Sequence, residues 1–571
     1  MAALHMWIWA LVVGIMGVQT GAGVEVRVSG GVVKGATQKS RDGRDYYAFK
    51  AIPYAQPPVG DMRFMPTRPG VEWEGVRDAT KDGEPCAQAA LGIVAGVEDC
   101  LNLYVYTPKV SVEGQNSSGL PVVVWLHSGS FVVGGGADVD PSYVMDRDLV
   151  LVVPQYRLGF LGFFTSNSGH SSGNAGMLDQ VEALRWVRDN IRAFGGDPDQ
   201  VTLAGDCAGG AAALYHMMSP LSKGLFHRVM SLSGSPLNPW ALLTRHHRFL
   251  LILANYVKCP AYDPRLLVQC FQEVEKDELL DGVQMLLESR DPVVGNHRLS
   301  PVVQKPAHAH ETTLFLSQHP LKALTEGDFH KVPVLMGITK DVGNYLVDML
   351  LYDFIQYKLE GEPDFLEKLL NMLLRESDIR DAVDHEKEFA DFYFPGNSFT
   401  ELDSLLPGLA QMLGDIHYKA GILSAATLLS EHVPTRVLRF EYEEGPKLFS
   451  LRYPDPAEAP PMPPGVGHGD ETTLLLPDQI FDLTPEQQEA SNAMVDMLSN
   501  FAYGRTPMPD WPLFTSEGLE ALVWGPEGST FAVAPFASEE QVDMLRRIHS
   551  FHFQRTLEEM NSETENTHDE L

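Results

Sequence analysis

The sequence predicts an α/β fold: a single large domain with a mostly parallel central sheet covered by helices. Three observations carry this. PVVVWL at 121–126 and LVLVVPQY at 149–156 are short apolar runs of the kind that form buried strands. Between them and the next strand, DQVEALRWVRDNIRAF at 179–194 places Val181, Leu184, Val187 and Ile191 on one helical face. GGDPDQ then breaks the helix and VTLA begins another strand. Strand, helix, strand in this order builds a parallel sheet.

The N-terminal residues 1–22 read as a signal peptide. Their apolar run, Trp7 to Val18, is too short to span a bilayer, and the small residues Thr20 and Ala22 suit cleavage. A basic segment ahead of the run is missing, which leaves a short buried segment as the competing reading. The folded domain is expected over 24–557, followed by an acidic tail over 558–571. Glu558, Glu559, Glu563 and Glu565 in that tail should keep it solvated and mobile. The chain ends in HDEL, a receptor-read signal for return to the endoplasmic reticulum, so its receptor is an expected partner. Signal peptide and terminal signal together place the chain in the lumen of that compartment.

Composition bounds the rest. With 571 residues, 44% of them apolar, the chain can bury a large core. A net charge of −33 excludes nucleic acid as a partner and favours solubility. Of five cysteines, Cys86 and Cys100 are close in sequence, as are Cys259 and Cys270. Secretion permits disulfides, and pairing neighbours leaves Cys207 over; five buried reduced thiols is the alternative. Asn116 stands in the chain's N-glycosylation sequon, within the polar loop VEGQNSSG.

Later elements follow the same pattern. VPVLMGI at 332–338 and TRVLRFEY at 435–442 read as further strands, and YPDPAEAPPMPP at 453–464 as a loop. Leu545, Ile548 and Phe551 make an apolar helical stripe suited to packing, with a dimer surface as the alternative. His308 and His310 in AHAH have no third ligand at a recognisable spacing, so no metal is expected, nor any cofactor.

LAGDCAGGA at 203–211 is the chemically informative stretch. A strand that reverses sharply into a helix needs glycine on both sides of the turn, here Gly205 and Gly209. The residue between them is held strained with its reactive atom presented. That residue is Cys207.

The chain resembles the type-B carboxylesterases and cholinesterases, of the α/β-hydrolase fold. The resemblance runs through FKAIPYAQPPVGDMRF, EDCLNLYVYTP, GNAGMLDQVEALRWVRDNIRAFGGDPDQVTLAGD, SLSGSPLNPWAL, GITKDVGNY, GVGHGDE and Trp511-Pro512. It implies disulfides Cys86–Cys100 and Cys259–Cys270, with Cys207 free. It also implies a serine, glutamate and histidine triad in that order along the chain. The histidine matches as His468. The nucleophile position carries Cys207, and the acid position carries Val342. Asp341 matches an aspartate that the family already has beside its acid, so it is no ready replacement.

The oxyanion loop departs as well. The family's H-G-G-G-F reads His127-Ser128-Gly129-Ser130-Phe131. The donors implied are the backbone N–H groups of Gly129, Ser130 and Ala208. If position 130 needs a glycine conformation, the serine costs strain or turns its N–H away. Choline recognition is not implied: AQAALGIVAGVED, between Cys86 and Cys100, contains no aromatic residue to hold the cation.

A cysteine can replace a serine nucleophile when its thiolate is stabilised. An imidazole with no carboxylate behind it is harder to replace: in the serine-protease template that loss costs ~10⁴ in rate. Three changes in one mechanism point to a catalytically impaired or non-catalytic family member. Such a member would act by binding, with an apolar small molecule, an ester or a protein as partner. The alternative is a lumenal ester hydrolase with Cys207 as thiol nucleophile and His468 as base. For Cys207 the bland reading is a buried inert thiol, and for His468 a loop histidine bonded to backbone.

Overall fold

The computed structural model describes residues 23–70, 72–90, 92–111, 119–166, 170–243, 247–288, 299–304, 314–347, 365–377, 379, 382–396, 402–448, 462–477, 481–525 and 530–569. Residues 1–22, expected from the sequence to be a signal peptide, lie outside them, as do Asn116, His308, His310, most of the proline-rich stretch, and Glu570 and Leu571.

Three strands open the fold: β1 (Val24–Val28), β2 (Gly31–Lys39) and β3 (Asp45–Pro53), joined antiparallel. The short β4 (Val76–Asp78) runs beside β2, and β5 (Gln88–Ala90) with β6 (Ile93–Ala95) forms a separate small hairpin. β7 (Asn102–Thr107), β8 (Leu120–Leu126), β9 (Val150–Pro154), β10 (Gly196–Asp206) and β11 (Arg228–Leu232) follow. β12 (Val334–Thr339), β13 (Thr435–Phe440), β14 (Glu520–Trp524) and β15 (Phe531–Pro535) complete the set.

The main sheet runs β1-β2-β3-β7-β9-β8-β10-β11-β12-β13-β14-β15. From β9 through β14 every pairing is parallel, while both margins are antiparallel. The order β9-β8-β10 reverses the direction of growth, so the C-terminal ends of β8 and β10 border the crevice where open sheets place ligands. All seven residues of β8 are buried, as a strand covered on both faces requires.

Helices follow strands as the alternation predicts. α1 (Gly159–Phe163) and α2 (Ala175–Asn190) lie between β9 and β10, and α3 (Ala208–Met218) between β10 and β11. The predicted 179–194 helix is α2 continued by a tighter turn over Ile191–Phe194, with Val181, Leu184, Val187 and Ile191 all buried. GGDPDQ does not lie wholly outside the sheet: β10 already starts at Gly196, and a register shift before Val201 absorbs the extra residues.

Motifs at the N-terminal end prove to be structural. Arg63, in the VGDMRF segment, pairs with Glu98 of EDCLNL through bonds of 2.6 and 2.7 Å. Arg157 pairs with Asp179 of α2 through two bonds of 2.8 Å. Both are forked pairs; the first is partly buried and joins two loops, and the second is buried and ties the segment after β9 to α2. Disulfides join Cys86 to Cys100 and Cys259 to Cys270, and Cys207 is free and buried. Such bridges are consistent with the secretory pathway.

The acidic tail has helical backbone. The C-terminal helix runs Glu539–Asp569, so it takes in the backbone over 558–569. Its stripe starts the helix: Leu545 and Ile548 are buried in the main core and Phe551 packs against it. Glutamates, good helix formers, continue it. The stripe is therefore packing and not a free dimer surface.

Candidate functional site

The turn at Cys207 is built by close approach. A Cβ on Gly209 would come within 1.9 Å of the Leu126 carbonyl oxygen, and one on Gly205 within 2.5 Å of the Gly209 backbone. Only glycine fits at either place, because β8, β10 and α3 converge there. Cys207 takes the strain, with φ 51° and ψ −117°. Its N–H donates to Leu232 O at 2.8 Å, which locks the turn to β11.

The oxyanion loop resolves the choice left by Ser130. Ser130 sits at φ 56° and Phe131 at φ 63°, a left-handed pair in which glycine would be unstrained. The loop thus accepts the strain and keeps its N–H direction. The backbone N–H groups of Gly129, Ser130 and Ala208 all reach the Cys207 side chain. The three expected donors and the nucleophile position are therefore together.

The thiol is nonetheless poorly activated. Burial and the neighbouring Asp206 carboxylate push its pKa up to about 12, against the pull of those three N–H groups. The helix N-terminus alone does not offset a desolvated anion.

His468 enters from the loop after the proline-rich stretch and is buried. Burial holds its pKa down to about 4, so the ring is neutral. Its Nδ1, the atom a triad acid would hold, has no hydrogen-bond partner. Val342 is fully buried in the turn after β12 and offers only methyl groups.

Two nearby aspartates are committed to backbone. Asp341 Oδ2 accepts from Val466 N at 2.9 Å, and Asp341 N donates to Val466 O at 2.9 Å. Asp470 accepts from Gly467 N at 2.8 Å and Leu448 N at 3.0 Å, with Lys447 Nζ at 3.5 Å. Together they clamp the His468 loop from both sides.

Two further residues belong to the site, and neither was given a role from the sequence. Tyr418 is buried; its hydroxyl hydrogen-bonds the Cys207 side chain and its ring centre lies 4.7 Å from that of His468. It is aimed by a wide helical turn over Asp415–Lys419, a form common at functional sites. That turn frees the His417 carbonyl, which accepts from Asn238 Nδ2 at 2.6 Å and Trp240 Nε1 at 2.9 Å. No local residue pattern announces such a turn.

Glu471 is the second. It stands three residues after His468 in GVGHGDE, and that acid beside the histidine was the available signal. Its Oε1 accepts from Ser233 Oγ at 2.7 Å, while Oε2 is buried without a partner. Burial pushes its pKa up to about 7.

Comparison with known proteins agrees with this architecture. The family model described as the carboxylesterase family matches residues 22–543. Pyrethroid hydrolase Ces2e of Rattus norvegicus is 31% identical over 509 residues, covering 84% of this chain and 83% of that protein. Human cocaine esterase is 31% identical over 496 residues, covering 82% of each. Juvenile hormone esterase of Tribolium castaneum is 32% identical over 499 residues, covering 84% of this chain and 83% of that one. Among solved structures, juvenile hormone esterase of Manduca sexta, with OTFP covalently attached, superposes with a TM-score of 0.80. It is 24% identical and covers 93% of this chain and 99% of that one, a likeness of fold.

Proposed function

We propose, from the premise that this chain belongs to the carboxylesterase family, that it is a binding member and not a competent esterase. It holds an apolar small molecule or ester, or a protein, around a disabled catalytic site. One observation carries the reading: the buried Nδ1 of His468 has no partner, and the acid position beside it is Val342. An imidazole in that state has nothing to fix its tautomer or to stabilise its cation. The protonated thiol of Cys207 and the Tyr418 hydroxyl bonded to it support the same reading.

Retention of the N–H donors around Cys207 suggests what the site still recognises. Fixed donors aimed at one point suit a carbonyl or carboxylate oxygen on an otherwise apolar ligand. The compartment we assign is the lumen of the endoplasmic reticulum, on the N-terminal apolar run, the two disulfides and the terminal HDEL.

The same donors favour a second reading, a lumenal ester hydrolase using Cys207 as thiol nucleophile with His468. The relatives are named as esterases and hydrolases, which is consistent with it. Hydrolysis of a short-chain aryl ester by the purified chain separates the two. We expect turnover at background, unchanged by Cys207→Ala. Enzyme-like turnover abolished by Cys207→Ala establishes the second reading instead.

A further inference from the structure

The wide turn over Asp415–Lys419, which carries Tyr418, opens on a fully buried carboxyl. Lys419 Nζ, at the turn's other end, lies 3.3 Å from Asp415 Oδ1, so this ion pair spans the turn. Tyr393 Oη donates to Asp415 Oδ2 at 3.1 Å from the end of the helix Ala382–Tyr393. Gln541 Nε2 donates to Oδ1 at 3.0 Å and to Oδ2 at 3.2 Å. Burial raises the Asp415 pKa, and these three neighbours pull against it.

Gln541 belongs to the first turn of the C-terminal helix. Ser538 Oγ accepts from Gln541 N at 3.2 Å, which caps that helix, and Leu545 and Ile548 bury its following turns in the main core. The Gln541 amide is thus delivered to Asp415 from a fixed element.

A wide turn is rare in helices, and this one is held at two points. Asn238 and Trp240 hold the His417 carbonyl, and the Asp415 cluster holds the turn's start. Tyr418 stands between these anchors. Its hydroxyl bonds the Cys207 side chain, and its ring centre lies 4.7 Å from that of His468 and 5.7 Å from that of Trp240. A one-residue change of register rotates a helical side chain by roughly 100°. A turn relaxed to ordinary helix would therefore take the phenol off Cys207.

We propose that Gln541 and Asp415 are positioning residues for Tyr418. Through their amide–carboxylate contact the C-terminal helix keeps the turn wide and the phenol on Cys207. Coupling of this kind runs both ways, so whatever displaces Tyr418 from Cys207 also loosens the hold on Gln541. The inference goes beyond the binding reading and stands whether or not the chain turns over esters.

Cys207 is the free thiol when both disulfides are intact, so alkylation of the full chain by iodoacetamide, counted by mass, reads this site alone. Gln541→Met keeps the length of the side chain and removes its donor. At pH 9 it should slow alkylation by up to about fivefold, the size expected for losing the Tyr418 bond itself. A merely structural contact would add its effect to that of Tyr418→Phe. A contact that acts through Tyr418 cannot, so in the Tyr418→Phe background Gln541→Met should change the rate by less than about twofold. Tyr393→Phe keeps its ring and loses its bond to Asp415; it should show the same dependence on Tyr418. It carries the test if the urea midpoint shows Gln541→Met to be unfolded. An unchanged rate in the folded variants, or an effect that survives at full size in Tyr418→Phe, overturns the inference. So does faster alkylation, which would mean that the helix only covers the site. Ester hydrolysis is not read here, so failure of this inference is separate from failure of the binding reading.

Discussion

The hydroxyl of Tyr418 is bonded to the side chain of Cys207, so the nucleophile position of this chain already has a buried polar partner. Burial holds the phenol protonated, which makes it a donor to any thiolate that forms. Tyr418→Phe should therefore make the thiolate harder to form and not easier. Losing one buried hydrogen bond is worth about 1 kcal/mol, or about fivefold in thiolate population. Alkylation of Cys207 at pH 9 measures it. A faster reaction in Tyr418→Phe would mean that the ring's hydroxyl excludes the reagent and does not stabilise the anion.

Ser130 gives a test of strain. It holds φ 56° in order to keep its N–H on Cys207. Ser130→Gly should stabilise the fold by roughly 0.5–1 kcal/mol, relief of strain being partly offset by glycine's entropy. Ser130→Val should destabilise it by about 1–2 kcal/mol, because a β-branched residue fits that region worst. Urea midpoints of the two variants check both signs. If Ser130→Gly is neutral and Ser130→Val is tolerated, the loop does not hold this conformation in solution.

The sheet was legible because its centre is written in apolar runs; the margins were not. β8, β9 and β12 each coincide with a run such as PVVVWL or VPVLMGI, since a strand buried on both faces cannot hide among polar residues. β2 alternates, exposes one face and leaves a weaker trace. At the site, Cys207, Val342 and His468 could be read because each stands in a motif with fixed neighbours. Tyr418 could not, because its direction depends on a wide turn held by Asn238 and Trp240, nearly 180 residues away in sequence. Glu471 was visible as a letter, but its importance comes from an oxygen left without a partner, which only packing reveals.

The buried acid and the buried imidazoles set opposite pH slopes. Glu471 has its pKa raised from 4.5 to about 7, so the folded state holds its proton more tightly than the unfolded state. Its contribution is favourable below about pH 4.5 and is lost as pH rises through 7. The loss is of order 3 kcal/mol. His127, His216 and His468 are lowered to about 4, 3 and 4, so their contribution is present above 6.5 and fails as pH falls. The difference in unfolding free energy between Glu471→Gln and wild type isolates the acid. That difference should be small at pH 4 and should grow in favour of the variant up to pH 7. A difference independent of pH would show that Glu471 titrates as an ordinary exposed carboxyl.

Restoring the triad is the strongest test of what was lost. Cys207→Ser alone should recover little, because His468 is still without the acid at position 342. Val342→Glu alone faces a Cys207 thiol whose pKa is held up at about 12. It should give at most weak thiol esterase activity. Triad members act as a unit, and the double variant should exceed the product of the two single gains. The donors of the oxyanion loop are already aimed, so this gain should not wait on Ser130→Gly, which should add less than about tenfold. Hydrolysis of a short-chain aryl ester by the four chains decides it. If the double variant stays at background while remaining folded, with Tyr418 unchanged, the phenol blocks the approach of serine to His468. Adding Tyr418→Phe to the double variant should then release the activity. If that triple variant is also silent, the loss lies outside Cys207, Val342 and Tyr418.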